Sequence, residues 1–356
     1  MSDDIFSRLF ELFDQPGPIN WKLAAEVARH MSGDPEPIEP WVAEEFRELA
    51  RLAEYRIGEV APFQIQPADD VLPIDRREWA DRNLETYSDL VEPFASSVVG
   101  EGPVAPLMEQ MKPAIVGLQA GSLVGSLATW SIASFDAGLP QKSLGAMTLI
   151  VPNLTVLADE ADIDVREVRL WAVANEVAFR SVSQLPWISD HLQSLIGVYA
   201  DAVKIDPTKL GGMMSIGGDP TAIQDAIEAA GGIESLIGGE EAEGPRRELE
   251  AFLGAVTGCA RLLARRGLSE LLTEFDSITA IRDRARESKD SPAQIGVGPV
   301  PAEATRLGDE FNQEVERRYG EDALATLWSD PSRMPTAAEL VDPTGWAARV
   351  LLVGWE

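Results

Sequence analysis

Apolar positions recur every three to four residues along most of the chain, which predicts a mainly helical protein. Residues 20–30 form the first such pattern, with Leu23, Val27 and Met31 on one side. Pro40 stands where a first helical turn tolerates proline. Residues 41–60 then place Trp41, Phe46, Leu49 and Leu52 at helical spacing, with Glu44, Glu45, Glu48 and Arg51 on other sides. Residues 62–73 read as a polar connector punctuated by proline. A helix is predicted over 76–98, packing Leu84, Tyr87, Val91 and Phe94 on one face and kinked at Pro93. Residues 113–135 carry no charge, and Gly117, Gly121 and Gly125 fall every four residues, on one helix face. Gln119, Ser122, Ser126, Thr129, Ser131 and Ser134 make the segment too polar for membrane insertion. It is expected to be a buried helix on whose glycine face another element rests, stopped by Gly138-Leu139-Pro140.

The second half begins with a short apolar run, 146–151, which reads as a strand. Asp164 with Glu167 three residues later is a capping box that starts a helix at Val165, running to about Gln184 ahead of Pro186. Further helices are predicted over 190–203, 245–266, 303–319 and 324–328, with a loop over 288–301. Residues 211–244 hold four Gly-Gly pairs without the strand-glycine-helix context of a nucleotide site, so they are read as turns between short helices. The fold class is mainly α with a small β component (α+β). One unit over residues 1–356 is expected, because helices on both sides of the glycine-rich, flexible segment carry apolar faces that need partners.

Charge narrows the function classes. The 356 residues hold 30 Lys and Arg against 59 Asp and Glu, a formal charge of −29. That field repels a phosphate backbone, so no nucleic-acid partner is expected. Only six of the basic residues are lysine. High-GC coding gives that bias; so does adaptation to concentrated salt, for which melting temperature should rise with KCl as self-repulsion is screened. The acidic start, Met1-Ser2-Asp3-Asp4, fits no secretory signal, and a cytoplasmic location is expected. With one cysteine, Cys259, and two histidines, His30 and His191, a zinc site of histidine and cysteine has little to work with.

The most informative stretch is Trp171-Ala172-Val173-Ala174-Asn175-Glu176-Val177-Ala178-Phe179, followed by Pro186-Trp187-Ile188-Ser189-Asp190-His191-Leu192. It resembles the zincin-like metallopeptidase type 2 family, which reads Trp-x-x-x-His-Glu-x-x-His and then Pro-Trp-Leu-x-x-His-Leu. Pro18-Ile19-Asn20-Trp21 is similar to the family's start, Leu149-Ile150-Val151-Pro152-Asn153 to its strand before the active-site helix, and Gly117, Gly121 and Gly125 to its small-residue helix. Trp328, Pro331, Met334-Pro335-Thr336, Glu339-Leu340, Asp342-Pro343 and Trp346-Ala347-Ala348-Arg349-Val350 resemble its C-terminal signature, so the likeness covers nearly the whole chain. It implies a zincin-like helical fold, a peptidase ancestry and, for members with eroded motifs, an association with biosynthesis of a deazaflavin coenzyme.

The resemblance also marks departures. A zincin needs two histidines one turn apart to hold zinc, with the intervening glutamate polarising the metal-bound water. Here those positions are Asn175 and Phe179, and the glutamate is Glu176. The family's Leu-Glu-Gly-His pattern, a source of a further acidic ligand, is matched by Val256-Thr257-Gly258-Cys259, which puts Thr257 at the ligand position. Val168, Trp171, Ala172, Asn175, Phe179 and Val182 share one helix face, a core stripe holding one amide, with Phe179 in the volume that metal and imidazole take in a relative. The expectation is therefore no zinc and no other cofactor.

Glu176 has two readings, a general base in a metal-free hydrolase or a carboxylate tied into a structural network. His191 is expected to cap or pack, His30 to be a surface residue near a helix C-terminus, and Cys259 to be a small core residue. The function expected is that of a metallopeptidase homologue without peptidase activity, binding a protein or peptide partner in the old cleft. The alternatives are a hydrolase that uses Glu176, and a helical protein that assembles through its surface.

Overall fold

The structure, a computed structural model, describes residues 17–95, 105–140, 144–203, 240–288 and 299–352. In chain order these form α1 (Trp21–Ser32), α2 (Trp41–Gly58), β1 (Val71–Ile74), α3 (Arg76–Ala95), α4 (Ala105–Trp130), β2 (Met147–Ile150), α5 (Val151–Ala161), α6 (Val165–Ser183), α7 (Ile188–Ala202), α8 (Glu240–Leu268), α9 (Phe275–Glu287), α10 (Ala302–Tyr319), α11 (Glu321–Leu327) and α12 (Pro343–Val350). The glycine-pair turns predicted over 211–239 and most of the loop at 288–301 lie outside the described residues. The mainly helical class with a small β component holds. No helix among the described residues is long and apolar enough to cross a membrane.

Two helix pairs meet backbone to backbone. In the first, α1 lies on the glycine face of α4, as the spacing predicted. A Cβ at Gly117 would stand 2.4 Å from Asn20 O, one at Gly121 2.4 Å from Ala24 O, and one at Gly125 2.6 Å from Met31 Cβ. The face that α1 buries is Ala24, Ala28 and Ser32, while Met31 is exposed, contrary to the Leu23–Val27–Met31 expectation. Glycine at these positions is what lets the axes approach, because the backbone of α1 and the Cβ atoms of Val27 and Met31 occupy the space a side chain would need. In the second pair α8 crosses α10, where Gly254, Gly258 and Gly308 remove the side chains at the crossing. On α2, likewise, the buried face is Val42, Phe46, Leu49, Ala50, Ala53 and Ile57, whereas Trp41 and Leu52 are exposed.

The sheet has two strands, and the first falls inside the segment read as a connector. β1 pairs with β2 in parallel, Val71 opposite Met147 through Ile74 opposite Ile150. Pro73 lacks a donor, which an edge strand tolerates. On the other side of β2, Ile150 N donates to Ile132 O (2.8 Å) and Ser134 N to Thr148 O (3.2 Å), so residues 132–134 run beside the strand before the chain turns away. Asn153 Nδ2 donates to Ala128 O (2.9 Å) and Ser131 O (2.5 Å), tying the start of α5 to the end of α4. The strand and this tether aim the 132–138 segment at α6, which is buried on nearly every side. Asp164 caps α6 by accepting from Arg166 N at 2.8 Å.

Candidate active-site cleft

Between α6, α8, α9 and the 132–138 segment lies a cavity of about 50 Å³. Asn175, Glu176 and Phe179 line it from α6 and Thr257 lines it from α8, so all four residues singled out in the sequence meet at one place. Each has a definite local role. The Asn175 amide donates to Trp171 O one turn back, at 2.8 Å. The Phe179 ring stacks on the Phe135 ring, with centroids 5.0 Å apart and planes at 20°. The Thr257 hydroxyl donates to Leu253 O (2.8 Å) and lies 3.0 Å from the Thr305 hydroxyl. Gly138 forms the turn over them at φ +77°, where a Cβ would stand 2.7 Å from Thr257 Cγ2. The left-handed backbone and the close approach both call for glycine there.

Glu176 is 2% exposed. Its Oε2 accepts the Phe135 N–H at 3.0 Å, and its Oε1 has no hydrogen-bond partner among the described residues. Burial pushes the carboxyl up. The Phe135 amide, the Ser134 hydroxyl and the Arg180 guanidinium pull it down, Asp136 adds repulsion, and the outcome is a pKa raised to about 8. At neutral pH the group is therefore mostly the acid.

The rest of the lining is ionic, and sequence reasoning missed it. Asp136 follows Phe135 and is paired with Arg282 and Arg286 of α9. Burial alone would raise the Asp136 carboxyl, but the two guanidiniums overcome it and hold it below the usual carboxylate range. Arg282 also lies over the Trp130 ring, 3.8 Å from its centroid. Arg261 of α8 grips Asp283 of α9 with two bonds, 2.9 and 2.5 Å, and Trp171 Nε1 donates to Thr279 at 3.0 Å. One signal was present in the sequence: Arg282 has no acidic residue three or four positions away to pair with on its own helix.

The remaining candidates lie outside the cavity lining. His191 packs edge-on against Phe252, centroids 4.9 Å apart, and burial lowers its pKa. His30 is exposed in the last turn of α1. Cys259 is a free, fully buried thiol whose pKa burial raises. Among the described residues no group of three or more His, Cys, Asp or Glu side chains is placed to hold a metal ion.

The landmarks of the C-terminal region hold one another. Trp328 Nε1 donates to Asn312 Oδ1 (3.1 Å), Trp346 Nε1 to Arg333 O (2.6 Å), and Arg349 bonds both Met334 O (2.8 Å) and Glu339.

Comparison with curated proteins finds no match. Among solved structures, the chain is similar to one from Chloroflexus aurantiacus, described as a "putative hydrolase with a novel fold", at 17% identity and a TM-score of 0.66, covering 94% of this chain and 99% of that one. At that identity the likeness speaks to the fold. The family model described as zincin-like metallopeptidase matches residues 19–347, from the residue before the α1 cap to the middle of α12. By that match over nearly its whole length, the chain belongs to the zincin-like metallopeptidase family.

Proposed function

We propose that this chain is a metal-free member of its family that binds a ligand or peptide segment in the ancestral cleft and does not hydrolyse it. The observation that carries this reading is the Phe179 ring stacked on Phe135 at the second histidine position. The donor set agrees. A phenyl ring offers no lone pair, and Asn175 and Thr257 offer only a neutral amide oxygen and a neutral hydroxyl. Amide and hydroxyl oxygens are poor zinc ligands beside imidazole and thiolate, so these residues do not fit the ion that the family name implies.

Glu176 supports the same reading. A general base must be ionised and within reach of the proton it takes, whereas this carboxyl is buried and held mostly as the acid at neutral pH. Water with no metal to acidify it stays almost wholly un-ionised at neutral pH and is a weak nucleophile.

Two measurements test the proposal. Metal analysis of purified protein after zinc exposure and desalting is expected to find far less than one zinc per chain. A peptide-hydrolysis screen is expected to show wild type and Glu176→Gln both at background. Stoichiometric zinc, or turnover that disappears in Glu176→Gln, overturns the reading in favour of a working hydrolase.

A further inference from the structure

The cavity beside Glu176 has a chemistry that the loss of zinc ligands does not explain. Three guanidiniums line it, those of Arg261, Arg282 and Arg286, against two carboxylates, Asp136 and Asp283. Two polar atoms at this lining are buried and unpartnered among the described residues: Glu176 Oε1 and Arg286 Nε. An unsatisfied buried polar atom costs ~1–3 kcal/mol and an unpaired charged donor more, so a native protein normally supplies a partner. The space, about 50 Å³, takes a group of a few heavy atoms, since a water needs ~10–15 Å³ of such volume.

We infer that the cavity is a carboxylate-binding site, in which Arg286 Nε–H and the Glu176 carboxyl hold the two oxygens of a small carboxylate or of a peptide's C-terminus. This deepens the metal-free reading above and rests on it. A carboxylate's two oxygens match the two free donors, Arg286 Nε–H and the Glu176 O–H, and one negative charge balances the single positive charge by which the lining arginines exceed the aspartates. A doubly charged phosphate would bury one uncompensated negative charge and needs more room. The neutral carboxyl of Glu176 supplies the second donor, through the oxygen that nothing else in the described residues engages. The rim is open enough for entry: Asn175 is only part-buried, and the Asp283 and Arg286 side chains keep 24% and 12% exposure.

The test is a titration of the full chain at pH 7 and constant ionic strength, read by tryptophan emission, because Trp171 lines the cavity and Trp130 covers Arg282. Acetate is compared with acetamide, and an N-acetylated tri-alanine peptide with its C-terminal amide. Saturable binding of acetate or of the free-carboxylate peptide, absent for both amides, supports the site, and the two arms tell a free acid from a chain end. Arg286→Lys, which keeps the charge and loses the Nε–H, should weaken that binding at least tenfold with an unchanged circular dichroism spectrum. No saturable response to either carboxylate, an equal response to the amides, or full affinity in folded Arg286→Lys overturns the inference. If Arg286→Lys does not fold, the carboxylate-against-amide comparison in wild type decides alone. Failure of the metal-free reading shows separately, as bound zinc in the same preparation.

Discussion

Valine at position 308 is expected to leave no native fold. Gly308 sits where α10 crosses α8, and a Cβ there would lie 1.8 Å from Gly254 O and 2.3 Å from Gly254 C. Those are backbone atoms, which cannot rotate aside, so the helices must separate. Gly258 is locked the same way, its Cβ falling 2.1 Å from Asp309 N. Separation strips partners from Phe252, Ala255, Val256 and Phe311, all buried. Burial of the two Phe and one Val side chains contributes ~1.5–3 kcal/mol each, a sum comparable with the ~5–15 kcal/mol that holds an ordinary domain together. Gly308→Val should therefore give insoluble protein, or a soluble one without a cooperative melt. Gly197→Ala is the control. Gly197 lies in α7 with nothing within 4 Å of its missing Cβ, so alanine should raise stability by ~0.5–1 kcal/mol through helix propensity alone. A Gly308→Val protein that melts like wild type would refute the backbone contact.

Glu176→Gln is expected to stabilise the protein in alkali and to change little in acid. The folded-state pKa of about 8 stands above the usual 4.5, so between those values the native state holds a proton that the unfolded chain releases. Stability is then fully present below about pH 4.5 and is lost as pH rises through about 8. At ~1.36 kcal/mol per unit, the loss by pH 9 is on the order of 5 kcal/mol. Glutamine keeps an oxygen for the Phe135 N–H and has no proton to lose. The groups facing Glu176 do not blur the comparison. Asp136 is held below its ordinary range and the Tyr87 hydroxyl is raised by burial, so neither changes charge between pH 5 and 9. Urea unfolding of both proteins at steps across that range should give curves that lie closest at pH 5, separate steadily up to about pH 8 and keep a constant gap above it. Parallel curves would show that the carboxyl is ionised throughout.

Much of the frame was legible because its signals are local or periodic. The Gly117–Gly121–Gly125 comb announced a close helix contact, since only a near backbone asks for glycine at every fourth position. The stripe from Val168 to Val182 named the face of α6, and five of its six residues are buried, Asn175 being part-buried. Errors came where size misled. On α1 the buried face is alanine and serine while Met31 stays outside, and on α2 Trp41 stays outside while Ala50 and Ala53 are buried. β1 escaped because Pro73 and its polar flanks look like a connector until β2 is seen alongside. Asn175, Glu176, Phe179 and Thr257 were found by resemblance to a motif and do meet at one cavity. The pairing in the ionic half of that cavity was not legible, because Asp136 and Arg282 are 146 positions apart and meet only in the folded chain.

Helix α9 differs in kind from the helices that glycine locks together. Its apolar anchorage is short, Phe275 and Ile278, and the rest of its attachment is Arg282 and Arg286 to Asp136, Asp283 to Arg261, Asp276 to Arg265 and Thr279 to Trp171. A segment with few apolar contacts detaches at a lower free energy than the global transition. One wall of the cleft is thus fastened chiefly by charge pairs, whereas the α8–α10 crossing behind it is fastened by touching backbones.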